Sequence, residues 1–144
     1  MQLPKTLEVS VKSQFIKDLS FENFNTINNS EKSHPLDYKI NINVKIEKEK
    51  SAISQVILYL FCEAFHIKDK VYILEIEYGG NFEIKSENIK EKIHILSVEC
   101  TKLLFPFLRR IAYDITRESG FTPLNIKPID FSTAKKNETR EKRQ

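Results

Sequence analysis

Tyr38, Ile40, Ile42, Val44 and Ile46 alternate without a break with Lys39, Asn41, Asn43, Lys45 and Glu47. Successive side chains of a strand point to opposite faces, so a sustained period of two demands a strand with one dry and one wet face. Glu47–Ser51 is polar and suits a turn. The next segment, Ile53–Phe65, is apolar on both parities and rich in β-branched and aromatic residues. That composition predicts a strand covered on both sides, placed centrally or at a subunit contact. Val71–Tyr78 repeats the strand vocabulary, and Gly79-Gly80 follows before Phe82 and Ile84 resume it; the glycine pair is expected to supply a positive φ or a bulge. Gln14–Phe21 reads as a further strand, Met1–Val11 shows no sustained period, and Asn23–Ser30 reads as a long connection. Strands joined by turns, with no helices between them, favour antiparallel pairing.

The period then changes. Ser86 is the expected N-cap of a helix carrying Glu87 in its first turn. Ile89, Ile93, Leu96, Cys100 and Leu103 follow at spacings of four, three, four and three, an apolar stripe with Ile95 and Val98 off it. Apolar surface beyond what one seam can cover makes Ile89, Ile93, Leu96 and Cys100 candidates for an oligomer contact. Leu104-Phe105-Pro106-Phe107 is expected to interrupt the helix, with Pro106 in the first turn of a second one whose buried face is Leu104, Leu108, Ile111 and Ile115. Gly120 supplies the stop, and Phe121–Leu124 with Ile126–Phe131, broken by Pro123 and Pro128, should lie extended over the domain. Strands first and helices after is the α+β arrangement, with helices on one face of an antiparallel sheet.

At 144 residues the chain fits one domain, residues 1–131, followed by a solvated basic tail, 132–144. Residues 1–131 hold 18 Lys/Arg against 18 Asp/Glu, whereas 132–144 hold 5 against 2, so the formal charge of +3 resides wholly in the tail. A neutral body argues against a nucleic-acid surface. No run approaches the roughly 18 to 20 apolar residues of a membrane span, and the opening residues lack the basic-then-apolar order of a secretory signal. The reading is a cytoplasmic protein without direct membrane insertion. Cys62 and Cys100 lie in apolar stretches, as free thiols of a reducing compartment do.

Parts for catalysis are lacking: the sequence has no phosphate-binding loop, no G-x-S-x-G and no Cys-x-x-Cys. Cys62 and His66 are two ligands at most, too few for a metal site, and His94 has no implied nucleophile or carboxylate partner. No enzyme, metal or cofactor is therefore expected. Glu75 and Glu77 share a strand parity, about 7 Å apart by strand geometry, with Glu83 able to continue the row and Ile73 among them. This is either a solvated sheet face or an acidic docking surface with an apolar centre. The ten Phe and five Tyr are either core plus subunit interface or a groove for apolar segments of another chain.

Four segments in order, Phe15–Asn23 (FIKDLSFEN), Leu74–Phe82 (LEIEYGGNF), Leu103–Arg110 (LLFPFLRR) and Gly120–Phe131 (GFTPLNIKPIDF), resemble the motifs of the SecB export chaperones. The resemblance spans nearly the whole predicted domain. It implies a four-stranded antiparallel sheet with two helices, assembled as a dimer of dimers. It also implies an ATP-independent holdase that binds unfolded precursor proteins and passes them to the SecA motor ATPase. By motif alignment the motor-docking positions fall on Asp18, Glu22, Ile73 and Glu75, and the client groove on Tyr38, Ile40 and Ile42. Two features depart from the family pattern: Thr133–Gln144 is Lys/Arg-rich where family tails are acidic, and Asn23–Pro35 lacks the family's Asn-Ala-Pro wording. The altered tail keeps open a SecB-like chaperone dedicated to one client, such as an antitoxin. An oligomeric nucleic-acid-binding α+β domain is the alternative of another class.

Overall fold

A computed structural model of the chain describes residues 8–24, 35–48, 52–85, 88–128 and 141–143. Four long strands, β1 (Glu8–Asn23), β2 (Asp37–Lys48), β3 (Ile53–His66) and β4 (Asp69–Lys85), form an antiparallel sheet. A three-residue strand, β5 (Glu141–Arg143), pairs with β2 at Lys39–Asn41, giving the order β1-β4-β3-β2-β5. These three are the only described residues of the expected solvated tail. The Asn-rich connection and most of the Glu47–Ser51 turn lie outside the described residues.

The alternation of β2 and β3 translates directly into two sheet faces. Pairing runs without a shift from Asp37–Phe65 to Lys48–Ser54, so Tyr38, Ile40, Ile42 and Val44 stand beside Ala64, Cys62, Leu60 and Leu58 on the helix-covered face. Asn41, Asn43, Phe61 and Tyr59 share the other, open face. β1 behaves differently. Its register against β4 shifts between Val11 and Ser13 and between Ile16 and Asp18, inserting Lys12 and Lys17 as extra residues. Each inserted residue reverses which parity faces the helix. Val9 and Val11 stand on the side of Ile84 and Phe82, Ile16 beside Tyr78, and Leu19 and Phe21 beside Ile76 and Leu74. The core face of β1 therefore begins at Val9, inside the segment that shows no period in sequence.

Gly79 and Gly80 continue β4 without positive φ, contrary to the expectation. They are needed for close approach. A Cβ on Gly80 would stand 2.8 Å from the Phe82 ring and 3.0 Å from Leu104 Cδ2, where the helix crosses the sheet; one on Gly79 would meet Ile57 Cδ1 at 2.6 Å and the Phe15 ring at 2.9 Å.

The two expected helices are one continuous helical run: α1 (Ile89–His94), a π-helical stretch (Ile95–Cys100) and α2 (Thr101–Glu118). Its N-cap is Asn88, whose Oδ1 accepts from Lys90 N–H at 3.0 Å and Glu91 N–H at 3.2 Å; the expected cap Ser86 and first-turn Glu87 lie outside the described residues. The backbone stays in the right-handed helical region through both junctions, at Ile95 (φ −61°, ψ −45°) and Thr101 (φ −65°, ψ −41°). Pro106 sits inside α2 rather than opening a second helix. Its missing N–H removes the bond to the Lys102 carbonyl, at a cost of about 3 kcal/mol. Leu104 and Leu108, fully buried on either side of it, return about 2 kcal/mol each, and the helix runs on past the gap.

The helix ends as the sequence expects. Gly120 adopts φ +90°, its N–H donates to the Arg117 carbonyl and the Phe121 N–H to that of Thr116, both at 3.1 Å, the paired bonds of a Schellman stop. Phe121–Pro128 then runs extended across the domain, with Leu124 and Ile126 buried. The Thr116 hydroxyl fastens this strap, accepting from Leu124 N–H at 2.9 Å while donating to the Ala112 carbonyl at 2.8 Å. Phe21, Tyr72 and Phe121 pack as tilted rings in series, with centroids 5.1 and 4.9 Å apart, tying β1, β4 and the strap together.

Candidate functional site

Cross-strand register assembles the open face row by row. Asp18, Glu77, Tyr59 and Asn43 form one row, Ser20, Glu75, Phe61 and Asn41 the next, and Glu22, Ile73, Glu63 and Lys39 the third. The four aligned docking positions Asp18, Glu22, Ile73 and Glu75 thus share one surface. Asp18 and Glu22 reach it only because Lys17 is inserted: without that extra residue their parity would turn them to the helix side.

The carboxylates Asp18, Glu22, Glu63, Glu75 and Glu77 surround Ile73 and Phe61 on this face. Glu63 is neutralised by Lys70 at 2.7 Å, and Lys70 and Lys39 also lie over the Phe65 ring at 6.0 and 5.5 Å. Among the described residues no ion pair neutralises Asp18, Glu22, Glu75 or Glu77. Glu75 is instead held by the Tyr59 hydroxyl, which donates to its Oε2 at 3.1 Å. Desolvation, aided by this bond and by the charges of Glu75 and Glu77, pushes the Tyr59 phenol up to about 12. A flat face with uncompensated negative charge and an apolar centre attracts a basic partner over a Debye length and then buries apolar area on contact. Farther along, the face turns neutral: Gln55 donates to Asn81 at 3.0 Å and Asn81 to Ser13 at 2.9 Å.

The helix side is apolar and unevenly covered. Over β2, β3 and β4 it is closed: Ile40 is 1% exposed and Ile42 8%, so two of the three aligned groove residues belong to the subunit's own core, and only Tyr38 keeps partial access. Beside Tyr38 two polar groups, the Tyr72 hydroxyl and the Cys62 thiol, sit in an apolar setting. The Tyr72 hydroxyl is buried without a hydrogen bond of good geometry among the described residues, and burial pushes the Cys62 thiol up to about 12. Leu96 and Cys100 are likewise consumed by the core, whereas Ile89 is 67% exposed and Ile93 half-buried. The π-helical stretch accounts for this: backbone bonding five residues apart widens the turn, and the Thr101 hydroxyl also donates to the Leu96 carbonyl at 3.2 Å. Ile95, Leu96, Val98 and Cys100 all become buried, so the expected stripe does not continue as a free seam.

Over β1 the cover is missing. Val9, Val11, Ile16 and Leu19 remain exposed on the helix side, as do Leu103, Phe107 and Tyr113 on α2. Phe107 stacks on Tyr78 at 5.9 Å and reaches toward this uncovered strip. Val9 and Val11 carry no readable period in sequence because the Lys12 insertion breaks the alternation after three residues. Among the described residues no three His, Cys, Asp or Glu side chains are grouped to hold a metal ion, and no described helix is long and apolar enough to cross a membrane.

The fold is that of a known chaperone class. The structure matches the SecB-like chaperone of Mycobacterium tuberculosis, solved with a peptide of an antitoxin, at a TM-score of 0.72 over 84% of this chain and 90% of that one, with 12% identity. In sequence, the family described as preprotein translocase subunit SecB matches residues 2–142. The protein-export protein SecB of Bartonella bacilliformis is 40% identical over 127 residues, covering 86% of this chain and 79% of the relative. That of Ruegeria pomeroyi is 33% identical over 140 residues, covering 95% and 85%. The chain belongs to the SecB family of protein-export chaperones, which is not a class of enzymes.

Proposed function

We propose that this chain is an ATP-independent cytoplasmic holdase that binds unfolded precursor proteins and delivers them to the SecA motor ATPase. The supporting observation is the separation of two unlike surfaces on one sheet: an uncompensated acidic face, and an apolar side left partly open. Asp18, Glu22, Ile73 and Glu75 serve as the docking surface, with the carboxylates steering a basic partner and Ile73 supplying the apolar contact. Client segments are held by weak, repeated apolar burial, each side chain contributing roughly 1 to 2 kcal/mol and several along one chain raising avidity without a required sequence. Tyr38 marks the accessible end of the client groove; Ile40 and Ile42 line it only where the subunit's own cover moves aside.

Residues 1–131 form the chaperone domain, and 132–144 an appended basic tail. Ile89 and Ile93, with the uncovered strip of β1, form contacts of a homotetramer built as a dimer of dimers; exposed apolar area of this kind is what subunit association removes from water. The test is Glu75→Lys with Asp18→Lys. Binding to purified SecA should fall at least tenfold while capture of a denatured, slowly refolding client is unchanged. Equal loss of both activities overturns the separation of surfaces. Pull-down from cells then separates the export role, which yields a mixture of precursors, from a chaperone dedicated to one antitoxin, which yields one.

A further inference from the structure

Tyr59 and Glu75 are not opposite each other. Tyr59 pairs with Glu77 and Phe61 with Glu75, so the Tyr59 hydroxyl reaches diagonally across the β3–β4 ladder to the Glu75 Oε2 at 3.1 Å. Diagonal neighbours stand about 7 to 8 Å apart at Cα, a gap that a tyrosine spans and a shorter polar side chain does not. The phenol thereby lies along the row between two carboxylates of the same strand, Glu75 and Glu77. It donates to one of them and leaves the other without a partner of this kind.

A glutamate on an open sheet face has three rotatable bonds, and a partner that immobilises such a side chain must offset the rotamer freedom it loses. A carboxylate already held by a phenol meets that cost before the partner arrives. We propose that Tyr59 is a positioning residue of the acidic face: it sets the Glu75 carboxylate in the orientation in which it receives a basic group of the motor. Glu77, beside Asp18 in the next row, enlarges the same negative surface. The inference rests on the docking reading and adds to it a residue from β3, a strand that contributes none of the four aligned positions.

The test is a double-mutant cycle on the full chain at ionic strength near 0.1 M, with purified SecA as the probe, using Tyr59→Phe, Glu75→Ala and both together. Tyr59→Phe keeps the ring and its packing and removes only the donor. It should weaken SecA binding about three- to tenfold, Glu75→Ala by at least about tenfold, and the double variant no more than twofold beyond Glu75→Ala, because the hydroxyl then has no carboxylate to hold. Client capture should stay at the wild-type level throughout. A second readout needs no partner: by NMR of ring-labelled tyrosine, Tyr59 should titrate near 12 in the wild type and lower in Glu75→Ala. If Tyr59→Phe binds like wild type, or its loss adds in full to that of Glu75→Ala, the positioning role is overturned while docking stands. If Glu75→Ala binds SecA as tightly as wild type, the docking reading itself is overturned.

Discussion

The two faces of the sheet are built from the same strands yet hold together by opposite means. On the helix side, β2, β3 and β4 present side chains that are almost fully sealed by one helix and the Phe121–Pro128 strap. On the open side, the same strands present carboxylates, asparagines and aromatic rings partly in contact with water. The difference teaches that sealed packing and uncompensated charge are segregated here by strand parity. Truncation on the sealed parity should cost stability, and removal of a charge on the open parity should cost little.

The comparison breaks most visibly if core truncation is mild. Leu108→Ala removes a fully buried side chain under α2 and should destabilise by about 2 to 5 kcal/mol in denaturant unfolding, whereas Glu77→Gln on the open face should stay within about 0.5 kcal/mol. Next in size are the neighbouring glycines, one on each face. Gly80→Ala forces the new methyl between the Phe82 ring and Leu104 and should cost about 1 to 3 kcal/mol. Gly79→Ala meets the end of Ile57 and the partly exposed Phe15 ring, which can yield, so its cost should be the smaller of the two. Thr116→Val leaves the buried Leu124 N–H without its acceptor and should cost about 1 to 2 kcal/mol by the same measurement.

The effect of pH is absent near neutrality and appears only in alkali. Burial pushes the thiols of Cys62 and Cys100 up to about 12 from the ordinary 9. The folded chain therefore holds these protons more tightly than the unfolded one. Their contribution is fully present below pH 9 and is lost as pH rises from 9 through 12. Thermal midpoints should be insensitive to these thiols between pH 6 and 9 and fall above it, and both should resist a thiol reagent at pH 8 until the chain is unfolded. Rapid labelling of either in the native protein would contradict the sealed helix side.

Much of this was legible in sequence. The unbroken alternation of Tyr38–Glu47 placed β2 and its two faces, the double-parity run Ile53–Phe65 placed β3 inside the sheet, and Gly120 marked the end of the helix. The carboxylates aligned by motif, Asp18, Glu22 and Glu75, do come together on one sheet face. What failed did so where a local pattern was overridden by its neighbours. Pro106 reads as a helix start, but burial of Leu104 and Leu108 outweighs the lost bond. The glycine pair reads as a positive φ or a bulge, but the ring of Phe82 and the side chain of Leu104 need the room instead. The apolar stripe from Ile89 to Cys100 reads as a free seam, but a π-helical stretch turns its second half inward.

Sequence by itself determined that this chain makes a two-faced antiparallel sheet, because alternation is a property of each strand and needs no partner to be expressed. Only the tertiary structure decided which face each residue of β1 joins. Lys12 and Lys17 carry no local mark as extra residues; they become so because β4 offers one partner where β1 brings two. That choice, made between strands far apart in the chain, is what sets Asp18 and Glu22 beside Glu75.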